Sequence, residues 1–207
     1  PQSPQPIPKA IIAPHAGHRY SGPIAASIYA LIAPARATIK RVVLLGPTHR
    51  VAVHGIALPG VEAFATPLGA VAIDTDAVKK LLALPYIGNS AEAHRQEHSL
   101  EVHLPFLQSV IDDFTLVPLA IGRATAQQVA TVIDLLWGGD ETLIVVSSDM
   151  SHYLPYAEAQ ATDKATAQAI LELRTDITHH QACGATPVIG AYWLAPWATC
   201  QARRSFR

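Results

Sequence analysis

The sequence has few of the features that mark secreted, membrane-spanning or nucleic-acid-binding chains. Its 207 residues include only two cysteines, Cys183 and Cys200, too few for a disulfide framework in a chain of this length, which favours a reducing, cytoplasmic compartment. No apolar run reaches the roughly 18–20 residues that a membrane span requires. The formal net charge is −1 and lysine and arginine form no long runs, so we expect neither a membrane nor a nucleic acid as a partner.

Several short catalytic and ligand-binding motifs are also missing. There is no Walker-type phosphate loop and no G-x-G-x-x-G after a strand, so nucleotide binding lacks support. The absence of G-x-S-x-G weakens a serine hydrolase interpretation. The opening segment PQSPQPIPK has no basic-then-apolar pattern, so we expect no signal peptide.

What the sequence does contain is an alternation of short apolar runs and longer helical patterns, and 50% of its residues are hydrophobic. The predicted strands cover 10–14, 41–46, 114–122 and 142–148, with shorter candidates at 55–60 and 70–74. The predicted helices run from Pro23 to Pro34 and over 75–84, 97–111 (kinked at Pro105), 125–137 and 157–173, with a last one over 186–197. Apolar strands separated by helices predict one α/β domain over residues 1–207, with a mostly parallel central sheet and helices on both faces.

Polar side chains that bind metals or move protons follow three of the apolar runs. KAIIAP leads to His15, RVVLLGPT leads to His49, and LIVVSSD contains Asp149 and leads to His152. Loops at the carboxyl ends of parallel strands converge on one crevice, so we expect these residues to meet there. Neutral histidine is a common ligand of zinc, copper and iron. The alternative for His15 and His49 is a structural role at a strand end.

Cys183 is a further candidate ligand. It lies beside Gly184 and just ahead of a helix predicted to start near Thr186 or Pro187. A helix N-terminus lowers the pKa of a thiol and favours the thiolate that binds a metal. The alternative is a small buried apolar side chain, and Cys200 is interpreted in that way.

Asp149 and His152 form an acid–base candidate within S-S-D-M-S-H. Their spacing allows the carboxylate to orient the imidazole, or either group to exchange a proton with a substrate. The alternative is that Asp149 caps the following turn and His152 is a surface residue.

The segment E-H-S-L-E-V-H places Glu97 and Glu101 on one helical face, with His98 beside them. His98 and the two glutamates are candidates for a layer of residues behind the ligands or for a proton relay. An ordinary charged helix face is the alternative, and it fits Glu101 and His103 better than His98.

Taken in order, the segments IAPHAGHRYSG, LLGPTH, EHSLEVHLPF, VVSSDMSH and ACGATP resemble the Memo family. Its bacterial and archaeal members are known as AmmeMemoRadiSam system protein B. The resemblance runs from about residue 9 to about residue 190. It implies a fold similar to the class III extradiol (LigB-type) dioxygenases, enzymes that hold iron(II) with two histidines and a glutamate.

The resemblance also implies roles for six residues of this chain. The metal ligands of the Memo pocket, two histidines and a cysteine, fall on His15, His49 and Cys183. The other polar residues that match the lining of the pocket are the acid–base candidates His152, Asp149 and His98. Two family elements, a segment before the first strand and a closing strand after the last helix, are not visible in the sequence, so we expect the chain to lack them.

Together these observations predict a metal-dependent redox enzyme resembling non-haem iron dioxygenases. The resemblance implies iron(II) or copper, with zinc as a further option, and a thiolate in place of a carboxylate shifts the preference towards softer metals. His152, oriented by Asp149, is the expected acid or base, and His98 supports it. One alternative is a non-catalytic protein that binds a metal or a peptide and has AMMECR1-like and radical SAM proteins as partners. A weaker alternative is a zinc-dependent hydrolase. The sequence does not identify the small-molecule substrate.

Overall fold

The computed structural model describes residues 6–193. Its strands are β1 (Ala10–Ala13), β2 (Arg41–Pro47), β3 (Ile56–Leu58), β4 (Ala63–Thr66), β5 (Gly69–Ala72), β6 (Ile87–Asn89), β7 (Thr115–Ile121) and β8 (Thr142–Ser147). Its helices are α1 (His18–Tyr29), α2 (Thr75–Leu81), α3 (Ala91–Arg95), α4 (His98–Glu101), α5 (Leu104–Val110), α6 (Ala126–Leu136), α7 (Tyr156–Leu171) and α8 (Ala185–Tyr192). Within these residues no helix is both long and apolar enough to cross a bilayer.

The main sheet has six strands in the order β1-β8-β2-β7-β3-β6, and β4 and β5 form a separate antiparallel pair. All neighbours in the main sheet are parallel except β3 and β7. In the register, Ala13 at the end of β1 pairs with Ser147 at the end of β8, and Leu45 of β2 pairs with Val146. The carboxyl ends of β1, β2 and β8 therefore lie side by side at one edge of the sheet.

Both faces of the sheet are buried, as the uninterrupted apolar strands predict. Val43 and Leu45 of β2 belong to a hydrophobic cluster that includes residues of α2, α6 and α8. Val42 and Leu44, which point to the opposite side, belong to a second cluster with residues of α1 and α5. Full burial of each such side chain contributes about 1.5–3 kcal/mol. The predicted α/β class with a mostly parallel, helix-covered sheet is confirmed.

The helix predicted over 97–111 is instead two helices, α4 and α5, separated around Val102 and His103. Pro105 is the second residue of α5. Proline has no N–H to donate to the carbonyl four residues earlier, and its ring clashes with that carbonyl. The chain therefore breaks before Pro105, where a kink was expected. This break directs His103 into the protein, where it is fully buried.

Two further boundaries differ from the prediction. Helix α1 begins at His18, so Pro23 lies inside it and not at its first position. The carbonyl of Arg19 loses its intrahelical donor, but this first turn is exposed, so water is available to replace the bond. The last predicted helix corresponds to α8, and the part of it beyond residue 193, like Cys200, lies outside the described residues.

Candidate metal centre

The three predicted ligands meet at the carboxyl edge of the sheet. His15 follows β1, His49 follows β2, and Cys183 comes two residues before α8. One potential ligand atom from each lies within 4.8 Å of the others. His49 also belongs to a second such group with Glu97 and His98. The sheet topology thus produces a compact cluster of two imidazoles and a thiol, with a carboxylate behind it.

Glu97 determines which nitrogen of His49 is available. The Glu97 carboxylate, 4% exposed, accepts hydrogen bonds from the His49 backbone N–H at 2.6 Å and from His49 Nδ1 at 2.8 Å. It also accepts one from the backbone N–H of Ser99 at 3.0 Å, which caps the start of α4. A carboxylate can only accept, so Nδ1 of His49 carries a proton and its other ring nitrogen, Nε2, is the one left to bind an ion.

These contacts shift the pKa values of both partners. Burial raises the pKa of Glu97, but the hydrogen bonds from His49 and Ser99 outweigh it and bring the pKa to about 2. The hydrogen bond to Cys183 and the one to Glu97 raise the pKa of His49 to about 9, against the effect of burial. In the metal-free protein at neutral pH, a proton on His49 therefore compensates the negative charges around it.

Asp149 organises the loop that carries His15. Its Oδ1 accepts from the backbone N–H of His15 at 2.7 Å and of Ala16 at 3.2 Å. Its Oδ2 lies 3.7 Å from Nε2 of His15, a ring that is completely buried. Asp149 therefore fixes the backbone of the ligand and places negative charge beside the nitrogen that faces the cluster.

Cys183 Sγ lies 3.4 Å from Nε2 of His15 and accepts from the backbone N–H of Asp149 at 3.3 Å. Burial raises the pKa of the Cys183 thiol, but its hydrogen-bond contacts with the His15 and His49 rings outweigh burial and lower the pKa to about 6. The thiolate is therefore the main form at neutral pH, and the thiolate is the form that binds metals. The donor set of two imidazoles and a thiolate fits a soft or borderline metal ion.

Gly184 allows this approach. A Cβ atom added at position 184 would lie 2.5 Å from the backbone oxygen of Ser147 and 2.6 Å from Cβ of Ser148. No side chain fits there without displacing the end of β8. The glycine after Cys183 thus brings the thiol segment into contact with the strand end.

The three predicted acid–base residues differ in their surroundings. The His98 ring is stacked on His49, with 4.8 Å between centroids, and is 5.5 Å from the His15 ring. His152 is exposed, and its ring centroid lies 6.2 Å from that of the neighbouring Tyr153. Among residues 6–193, His152 forms no hydrogen bond with Asp149, whose carboxylate instead holds the His15 loop. The expected orientation of His152 by Asp149 is therefore not present, and its position fits the surface alternative.

His98 is the acid–base candidate whose ring lies over the cluster and is open to solvent. Its side chain is 43% exposed, and its Nδ1 is 3.6 Å from Oε1 of Glu97. Burial lowers the pKa of His98, and the nearby His49 lowers it further. A neutral, half-open imidazole over the candidate ligands is placed to accept a proton from a molecule bound there.

The sequence interpretation missed polar residues behind His15. His103 and Ser147 are both completely buried, although His103 fitted a charged helix face. One signal was available for Ser147: it ends a strand that is apolar throughout, so its hydroxyl was bound to be buried and to need a partner. Nothing in the local pattern around His103 indicates that it is this partner.

A cavity of about 310 Å³ opens beside His49. Its polar lining comes from Arg50, Arg123, His179 and Thr48, and no carboxylate lines it. No ion pair joins either arginine to another residue in the described part of the chain. The cavity next to the cluster therefore carries positive charge.

Comparison with known proteins agrees with the five sequence motifs. A sequence model of the family described as "Memo-like protein" matches residues 2–189. The chain is 36% identical over 193 residues to a MEMO1 family protein of Aquifex aeolicus, a match covering 88% of this chain and 71% of that protein. It is 39% identical over 176 residues to a MEMO1 family protein of Archaeoglobus fulgidus, covering 79% of this chain and 62% of that protein.

A solved structure shares the fold. It is that of an uncharacterized protein from Escherichia coli K12, with a TM-score of 0.57, 13% sequence identity and coverage of 88% of this chain and 87% of that chain. At this identity the match supports the α/β architecture and nothing more specific.

The curated relatives are longer than this chain, which spans 71%, 62%, 60% and 58% of the lengths of four of them. The family match nevertheless includes every strand and most of every helix described above. The family predicted from the motifs is confirmed: this chain belongs to the Memo-like protein family.

Proposed function

We propose that this protein is a metal-dependent redox enzyme whose single ion is held by Nε2 of His15, Nε2 of His49 and Sγ of Cys183. The observation that carries the proposal is the convergence of three ligand atoms within 4.8 Å, from loops far apart in the sequence. The hydrogen bond from Nδ1 of His49 to Glu97 adds to it, because an engaged Nδ1 is the usual arrangement behind a metal-binding Nε2.

Iron(II) or copper would supply electron transfer to and from dioxygen when bound, and zinc would supply only Lewis acidity. Among the residues of the chain, His98 is the proton acceptor in this proposal, because its neutral ring lies over the cluster and is open to solvent. Asp149 keeps the His15 loop in place. His152, given its exposed position, contributes by contact with substrate or not at all.

The charge of the cavity beside His49 suggests the substrate class. Arg50, Arg123 and His179 line it without a carboxylate, so we propose that the substrate carries an acidic group that occupies this cavity. Its reacting end would then lie at the cluster, since His49 belongs to both the cavity wall and the candidate ligands. A guanidinium recognises a carboxylate or phosphate by paired, charge-assisted hydrogen bonds.

Metal content tests the first part of the proposal. Protein purified without oxygen is analysed for iron, copper and zinc, alongside His49→Ala and a control, His54→Ala, which replaces an exposed histidine of the same loop. We expect about one ion per chain in the wild type and control, and loss of it in His49→Ala. A His49→Ala protein that retains its metal would contradict the assignment.

Oxygen uptake tests the second part. Metal-loaded protein is screened with phenols in matched pairs that differ only in a carboxylate, such as catechol and protocatechuate. We expect the acid of the productive pair to have the lower KM, and Arg123→Met to remove this advantage while Arg174→Met, which changes an exposed arginine paired with Asp176, keeps it. Equal KM values for both members of a pair would refute the anion cavity.

Two outcomes would favour the other functions. Tight metal binding with no oxygen uptake would support a non-catalytic protein that acts with AMMECR1-like and radical SAM partners. Zinc as the resident ion, with anaerobic hydrolysis of model esters or amides, would support the hydrolase.

A further inference from the structure

A chain of buried polar side chains runs from the core to His15. Tyr29 Oη is 2.8 Å from Nδ1 of His103, and Nε2 of His103 is 2.8 Å from Oγ of Ser147. Oγ of Ser147 is in turn 2.6 Å from Nδ1 of His15 and 2.6 Å from the backbone oxygen of Ser99. The four residues joined by these hydrogen bonds are each at most 1% exposed to solvent.

The proton positions follow from the Ser99 carbonyl, which can only accept. The single hydroxyl proton of Ser147 is therefore donated to Ser99, and the lone pairs of Ser147 are left to accept. Both neighbouring ring nitrogens must then donate to Ser147, so His15 carries its proton on Nδ1 and His103 carries one on Nε2.

The proton positions at the other end of the hydrogen-bond chain, between His103 and Tyr29, are fixed in the same way. A neutral His103 that donates from Nε2 must accept at Nδ1, and Tyr29 is the donor it meets there. Burial lowers the pKa of His103 to about 3, and burial raises the pKa of Tyr29, so both groups are neutral at ordinary pH. Phe106 stacks on the Tyr29 ring with centroids 5.3 Å apart and holds it in place.

Burying these polar groups costs desolvation free energy that apolar side chains in the same positions would not cost, so a functional role is expected for them. Every polar side-chain atom of these residues has a hydrogen-bond partner, and at the buried end Tyr29 belongs to the hydrophobic cluster that includes residues of α1 and α5. The other end touches a candidate metal ligand. We propose that Tyr29, His103 and Ser147 are positioning residues: they lock His15 in the Nδ1–H tautomer and orient its ring so that Nε2 faces Cys183 and the ion.

This proposal rests on the proposed metal site, and it makes the two histidine ligands different. His49 donates to the carboxylate of Glu97, whereas His15 donates to a neutral hydroxyl whose own proton is committed elsewhere. A carboxylate behind an imidazole raises its basicity as a ligand, and a hydroxyl does so less. His15 would therefore be the weaker donor but the more rigidly oriented one.

The test compares Ser147→Ala with Thr166→Ala. Thr166 is also fully buried, and its hydroxyl bonds only a carbonyl of its own helix, so it matches the stability cost without touching the cluster. The first readout is NMR of histidine ring nitrogens in the metal-free protein, which needs no bound ion. The second is Zn(II) affinity by competition with a chelator.

In the wild type we expect exchange-protected ring protons on Nδ1 of His15 and Nε2 of His103. Ser147→Ala should lose protection of the His15 proton and bind Zn(II) about 10–100-fold more weakly. Thr166→Ala should keep both. A wild-type His15 protonated only on Nε2, or equal Zn(II) affinities for the two variants, would overturn the proposal.

Tyr29→Phe keeps the test decisive if Ser147→Ala does not fold. It removes only the hydroxyl, so we expect the 15N resonance of His103 Nδ1 to shift while Ser147 still accepts from His15. An unchanged His103 resonance would overturn the chain as drawn. If wild-type protein binds no Zn(II) but shows the expected tautomers, the metal function fails and the hydrogen-bond chain stands.

Discussion

Replacing Glu97 with glutamine tests whether a buried carboxylate sets the ligand form of His49. The two oxygens of Glu97 accept three N–H groups, from the His49 backbone, the His49 ring and the Ser99 backbone. Glutamine has nearly the same shape but only one acceptor oxygen, so its amide group must face at least one of these donors. One N–H group then loses its acceptor, or the His49 ring changes tautomer and protonates the nitrogen needed for the metal.

The structure gives the size of the effect. A hydrogen bond to a charged group contributes about 1.5–3 kcal/mol. The pKa of Glu97, about 2 when folded against an ordinary value of 4.5, means that its contribution is fully present above pH 4.5 and is lost as the pH falls towards 2. We therefore expect Glu97→Gln to lower the free energy of unfolding at neutral pH by about 2–3 kcal/mol, and metal affinity by about 10–100-fold.

Urea unfolding of the metal-free proteins at pH 7 and pH 3, with Zn(II) competition at pH 7, measures both quantities. The stability difference between wild type and Glu97→Gln should shrink by more than half at about pH 3, because wild-type Glu97 has lost most of its advantage there. Glu101→Gln is the matched control, since Glu101 is exposed and its side chain forms no hydrogen bond among residues 6–193. A pH-independent difference together with unchanged Zn(II) affinity would refute the reasoning.

Three other predictions follow from the cluster. Zn(II) binding at neutral pH should release about one proton, because Cys183 and Glu97 raise the pKa of His49 to about 9. Calorimetry in buffers of different ionisation enthalpy measures the number of protons released, and a value of zero would contradict the assignment of His49 as a ligand. In metal-free Cys200→Ser protein, the rate of alkylation of Cys183 by iodoacetamide should rise with pH with a midpoint near 6, and bound Zn(II) should prevent the reaction. A midpoint of about 8.5 would indicate an ordinary thiol. Gly184→Ala should lower the free energy of unfolding by about 1–3 kcal/mol and weaken Zn(II) binding, since its Cβ would lie 2.5 Å from the backbone oxygen of Ser147. If the variant melts at the same temperature as the wild type, the Cys183 segment does not approach β8 this closely.

Strand ends were the most predictable part of this protein. The β2 segment, predicted over 41–46, is the strand Arg41–Pro47, and its apolar run could only be a strand covered on both faces. Since the carboxyl ends of parallel strands lie at one edge, the meeting of His15 and His49 could be predicted from their positions after apolar strands, although β8 lies between β1 and β2. Cys183 was less predictable, because it comes from a loop before a helix and depends on Gly184 for its approach to β8.

Local sequence misled where the chain changes direction. Asp149 and His152 are three residues apart, which suggests a pair, but the backbone N–H of Ser151 bonds Asp163 of α7 and Tyr153 adopts a left-handed conformation with φ of 58°. The turn carries His152 outwards and leaves Asp149 with the His15 loop. Asp149 and His152 are close in sequence, but contacts of the turn with α7 separate the surroundings of the two side chains.

The partners behind the ligands were the least predictable, although they decide the chemistry. Position at a strand end tells where a histidine lies, but only the acceptor behind it tells which nitrogen is free. Glu97 was a candidate for this role because it lies beside His98, whereas Ser147 and His103 are joined only by the packing of α4 and α5 against β8.

The charges around the cluster are compensated in part by a proton on His49. The thiolate of Cys183 and the carboxylates of Glu97 and Asp149 place three negative groups around two imidazoles. Without a cation these groups would repel one another in a poorly solvated site, and the raised pKa of His49 shows the compensation: a proton is kept where the ion would bind. In the proposed function, metal binding would exchange that proton for a divalent cation within a site held by hydrogen bonds. We therefore expect metal affinity to rise with pH up to the pKa of His49, which a rigid site of neutral ligands would not show.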